Sequence, residues 1–80
     1  MIVIPEYAQK AMADDEITEE EVQWCLEHGE LEIKELVKGE VRYGKKLQLK
    51  DKTIMVIYTF RGEATRVITC YTIRRKKQWG

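Results

Sequence analysis

Thr53-Ile54-Met55-Val56-Ile57-Tyr58-Thr59-Phe60 is the run on which the reading of this chain turns. It is apolar at both odd and even positions, rich in β-branched and aromatic residues, and too short for a core helix. That pattern predicts a central strand covered on both faces. Arg61-Gly62-Glu63-Ala64 turns the chain back into a partner strand from Thr65 to Ile73. Upstream, Lys50-Asp51-Lys52 supplies another turn, and Val41, Tyr43, Leu47 and Leu49 continue an earlier strand in which Gly44 is placed to seat a bulge. Before it, Leu31, Ile33 and Val37 recur among charged residues and end at the turn Lys38-Gly39-Glu40. Ile54, Val56, Val67 and Ile68 are the side chains expected deepest in the sheet.

Towards the N-terminus the spacing becomes helical. Pro5 suits a first helical turn, and Ala8, Ala11 and Met12 follow at helical intervals. Asp14-Asp15-Glu16 interrupts the pattern; Thr18 with Glu21 then forms a capping box, and Val22, Cys25 and Leu26 mark a second helix closed by Gly29. Trp24 lies off that stripe and is expected to pack against a neighbouring element. The chain is therefore expected to be one α+β domain over residues 1–80, with two short N-terminal helices packed on a four-stranded antiparallel β-meander. The helical pair occupies 5–28, the sheet 31–73 and a basic tail 74–80.

Charge is sorted along this sequence. Residues 1–40 hold twelve acids against three lysines, a net −9, and residues 41–80 hold eleven cations against two acids, a net +9. The neutrality of the whole chain is a cancellation. A basic second half points to a polyanion, and the bland alternative is that the acidic half docks on the basic half. A domain of this size buries only about two thirds of its unfolded surface, so its core is small. The opening Met1-Ile2-Val3-Ile4 is too short for a signal sequence or membrane span, which makes a cytoplasmic, non-membrane protein the expectation. Cys25 and Cys70, both in apolar patterns, then read as buried thiols, not as a disulfide.

One histidine, two distant cysteines and acids on solvated helix faces argue against a metal site, and no glycine-rich phosphate loop opens a helix. No cofactor is expected. His28 reads as a favourable cation at a helix C-terminus. What remains is chemistry that needs neither metal nor imidazole. RNA cleavage through its own 2′-hydroxyl requires an oriented hydroxyl, cations at the transition state and a proton donor for the leaving oxygen. Arg42, Lys45, Lys46, Arg66 and Arg74 supply cations on or beside the sheet, Arg75, Lys76 and Lys77 extend them into the tail, and Trp79 adds an aromatic ring at its end. Strand alternation puts Thr69 and Tyr71 on one face.

The segments Tyr7-Ala8-Gln9-Lys10-Ala11-Met12, Ile17-Thr18-Glu19-Glu20-Glu21-Val22 with Leu26, Leu47 to Val56, and Val67-Ile68-Thr69-Cys70-Tyr71 resemble the family catalogued as domain of unknown function 4258. The resemblance spans nearly the whole chain. It implies kinship with RelE-like toxins and other ribonucleases of the barnase, EndoU and colicin class, whose shared fold is a helix pair on a four-stranded antiparallel sheet. It also implies site positions: members carry a histidine in the first helix and an arginine four residues later, where this chain has Tyr7 and Ala11. Thr69 keeps the family's threonine. A phenol titrating near pH 10 in place of an imidazole near neutrality removes the obvious acid–base group. Tyr7, Thr69 and Tyr71 are the catalytic candidates that this leaves.

Three readings stay open. The first is a metal-independent ribonuclease of the toxin type, acting on free or ribosome-bound RNA. The second is a catalytically silent RNA-binding module, and the third is a protein-interaction domain that pairs with an antitoxin-like partner or with itself.

Overall fold

The computed structural model describes residues 1–73. In chain order these form β1 (Ile2–Val3), α1 (Glu6–Asp14), α2 (Glu19–His28), β2 (Glu30–Val37), β3 (Glu40–Gln48), β4 (Thr53–Arg61) and β5 (Ala64–Ile73). The sheet has five strands in the order β1-β5-β4-β3-β2. β2 to β5 run as the antiparallel meander that the sequence predicts, with the apolar run Thr53 to Phe60 at its centre. β1 adds a fifth strand, pairing parallel to β5 through Ile2↔Thr65 and Val3↔Arg66.

The four-stranded, purely antiparallel arrangement, expected from periodicity and from the family resemblance alike, is thus corrected to a mixed five-stranded sheet. Two residues carry no periodicity, so β1 was invisible as a strand. Its pairing is fixed from outside, by the open edge of β5 and by the bond from Thr65 N–H to Met1 O at 2.8 Å.

Local chemistry sets the element ends. Thr18 Oγ1 accepts from Glu21 N–H at 3.1 Å while Glu21 Oε1 accepts from Thr18 N–H at 2.9 Å, the reciprocal capping box that starts α2. Between β2 and β3, Lys38 and Gly39 both take positive φ (51° and 80°), the mirror-image turn whose twist suits a two-residue hairpin. The loop after α1 is fastened to the far end of β5: Thr72 N–H donates to the Asp15 carboxylate at 2.7 Å. Lys52 Nζ holds the same loop through Glu16 O at 2.7 Å and reaches Glu21 at 3.0 Å.

Both helices lie on one face of the sheet. Ala8 and Met12 of α1 and Val22 and Cys25 of α2 close over Ile54, Val56, Val67 and Cys70, and all eight are buried. Val67 and Cys70 share this face although they are an odd number of residues apart. A bulge makes this possible, since the register steps from Ile57↔Thr69 to Tyr58↔Val67 and leaves Ile68 unpaired. Ile68 is accordingly only half-buried, whereas Ile54, Val56 and Val67 are fully buried as expected. A second bulge falls in β2 between Leu31 and Ile33, not at Gly44. Trp24, expected to pack, is 47% exposed.

Candidate nucleic-acid interface

Strand alternation sends the remaining side chains to the opposite face, over which no described helix lies. The register reads directly across it. One row is Lys46, Met55 and Tyr71; the next is Ile33, Gly44, Ile57 and Thr69. Arg42 follows Gly44 at the next outward position of β3, and Arg66 stands on β5 beside Thr59. Lys46 and Tyr71 are thus separated by two strand spacings, about 10 Å. Met55 between them is only 6% exposed, with no helix of the described residues above it.

Gly44 gives this face its apolar floor. A Cβ there would stand 2.9 Å from Ile57 Cδ1 and 3.0 Å from Ile33 Cβ, so the absence of a side chain lets the two isoleucines close over the backbone. The sequence suggested a bulge at this glycine; the structure assigns it a close approach instead. Tyr71, 41% exposed, rises at the edge of the floor as a ring available for stacking.

The cations on this face are partly matched. Glu40 bridges Arg42 (Nε to Oε1, 3.4 Å) and Arg61 (Nη2 to Oε2, 3.3 Å), and Glu32 lies 3.7 Å from Lys46 Nζ. Arg66 makes no ion pair among the described residues. Where β3 and β5 end, an open depression of about 730 Å³ is lined by Lys46, Gln48, Lys50, Thr53 and Ile73 among others. The basic tail follows Ile73 directly in sequence, and Arg74, Arg75, Lys76, Lys77 and Trp79 lie outside the described residues.

Arg42, Lys46, Arg66, Thr69 and Tyr71 therefore share the open face, and two candidates do not. Lys45 points the other way, into the helix layer, where Nζ donates to Leu26 O at 2.6 Å and ties down the last turn of α2. Tyr7 is 55% exposed on α1, with the sheet between it and Thr69 and Tyr71. The three catalytic candidates do not meet. The groups with displaced acidity also belong to the helix side. Burial pushes the Cys25 and Cys70 thiols up to about 11, and burial, then the neighbouring Tyr43 and Cys25, raises the Tyr58 phenol.

The sequence reading missed Arg61, the floor of Ile33 and Ile57, and the two carboxylates, Glu40 and Glu32, that pair with Arg42, Arg61 and Lys46. Period-two alternation was the available signal for separating Lys45 from Lys46, since adjacent strand residues face opposite ways. Among the described residues no group of three or more His, Cys, Asp or Glu is placed to hold a metal ion, and no helix is long and apolar enough to cross a membrane. No protein-family model and no curated protein matches the chain.

Proposed function

We propose that this protein is an RNA-binding domain that receives a single strand on the open face of its sheet. The observation that carries the reading is the register, which gathers Arg42, Lys46, Arg66, Thr69 and Tyr71 around an apolar floor. Cations track a phosphate backbone, a tyrosine ring stacks a base, and a threonine hydroxyl suits a ribose 2′-hydroxyl. The basic tail extends the same positive character from the end of β5. The resemblance to the 4258 family belongs to this proposal, as a reason to look for RNA in place of another polyanion.

Binding without cleavage is the better-supported form. The ribonuclease reading needs a proton donor and an activated hydroxyl in one place, and Tyr7 lies across the sheet from Thr69 and Tyr71. On the open face cleavage would have to rest on Tyr71 as donor, with Lys46 and Arg66 beside the phosphate.

Fluorescence anisotropy with a labelled single-stranded oligoribonucleotide tests the proposal. Tyr71→Ala should weaken binding by about 1–3 kcal/mol. Arg66→Ala should flatten the plot of log affinity against log salt by about 0.7. Affinity unchanged in both variants would refute the interface. A denaturing gel of the same RNA distinguishes the two forms: an intact strand supports the silent module, and cleavage that Tyr71→Phe abolishes supports the ribonuclease.

A further inference from the structure

The helix layer covers only part of the sheet face on which it rests. α1 and α2 close over Ile54, Val56, Val67 and Cys70, but the same face runs on past them through Tyr58 and Phe60 on β4, Tyr43 and Val41 on β3 and Leu36 on β2. The three rings there pack together, with centroids 5.4–5.7 Å apart. Leu36 is nevertheless 70% exposed and Phe60 56%. The outer surface of the helices has the converse character, carrying exposed Tyr7 and Trp24 among exposed acids such as Glu6, Glu20 and Glu27.

Charge marks these two surfaces as counterparts. Lys34, on the same face as its cross-strand neighbour Tyr43, and Lys38, at the hairpin tip, are exposed and make no ion pair among the described residues. One chain thus carries an acidic surface with two aromatic anchors and a lysine-edged apolar platform, each unpartnered among the described residues.

We propose that two copies of this chain associate about a two-fold axis lying between the sheets and across the strands, so that the helices of each copy cover the bare end of the other's sheet. The helix layers then lie side by side in one central layer, one helix diameter of about 10 Å thick, between two outer sheets. Such a pairing is closed: each copy gives its helices and receives its partner's, so no platform is left to propagate a chain of copies. The open faces with Lys46, Arg66 and Tyr71 point outward, and the association is independent of the RNA reading.

Sedimentation equilibrium of the full chain tests this. The expected mass at tens of micromolar is twice the 9.5 kDa of the single chain. Leu36→Asp damages the platform and Trp24→Asp the helix surface, and each should raise the dissociation constant by about tenfold or more. Both positions are exposed, and far-UV circular dichroism with a melting curve checks that each variant is folded. Mixing the two variants is the decisive arm. A dimer of one Leu36→Asp copy and one Trp24→Asp copy retains one undamaged contact, so the mixture should associate more tightly than either variant alone. A monomer at all concentrations would overturn the proposal, as would a dimer indifferent to both substitutions or a mixture no tighter than its components.

Discussion

Lys45 and Lys46 show how far one residue of register separates two roles. Lys45 Nζ donates to Leu26 O at 2.6 Å inside the helix–sheet contact, where Cys25 Sγ also donates to Lys45 O at 3.1 Å. Lys46 is on the open face beside Glu32. Lys45→Met should therefore lower unfolding free energy by about 1–2 kcal/mol, because it leaves a partly buried carbonyl without its donor, and should leave RNA affinity within error. Lys46→Ala should do the reverse. Urea denaturation and anisotropy on the same two proteins check the pair, and equal loss of RNA affinity in both would show that the faces are wrongly divided. The sequence offered two adjacent cations. Which one meets solvent depends on which face the helices cover, and that is decided by contacts from α1 and α2 that no window around residue 45 contains.

Among the elements, those with a repeated local signal were readable and those held by a neighbour were not. The capping box of α2 was visible in Thr18 and Glu21 because both halves of the motif lie within four residues. β4 was visible in its own apolar density. β1 was not, being two residues long and dependent on β5, and neither was the bulge at Ile68, which exists because Val67 and Cys70 must both face the helices. The start of α2 also carries a pH dependence. Bonds from Thr18 together with the ammonium of Lys52 outweigh the effect of burial and hold the Glu21 carboxyl below its ordinary value of 4.5. A depressed carboxylate stabilises the folded state above its unfolded value and loses that contribution as pH falls through the folded one. Stability should thus decline as pH drops below 4.5. Thr18→Ala should cost about 1 kcal/mol at neutral pH and make the acid decline shallower. Urea midpoints from pH 7 down to about 3 measure both effects, and an acid limb of unchanged steepness would remove Glu21 from the account.

At the scale of the whole molecule, the sorting of charge into a −9 half and a +9 half proved legible, and its geometric meaning did not. The acidic half forms the helices and the edge strand β2, and some of its carboxylates do meet the basic half, as in Glu21 with Lys52 and Glu40 with Arg42 and Arg61. The sequence could not show which cations these contacts consume, nor that Lys45 turns to the helix layer while Lys46 stays on the open face. The core between the two layers carries its own signature. Cys25 and Cys70 are free, 0% and 2% exposed, and burial moves their thiols from 9.0 to about 11. From pH 9 upward the unfolded chain releases these protons while the folded one keeps them, so the unfolded state is favoured progressively as pH rises to about 11. The raised phenol of Tyr58 carries the same trend onward. Urea midpoints should accordingly fall across this interval, and both thiols should resist alkylation in the folded protein yet react fully in denaturant. The double variant Cys25→Ala, Cys70→Ala provides the control. It should be less stable at neutral pH because it opens space in the core, but its alkaline decline should be flatter, since of these three groups Tyr58 alone remains to withhold its proton. A decline as steep as that of the parent would mean that the two layers are not sealed around these sulfurs.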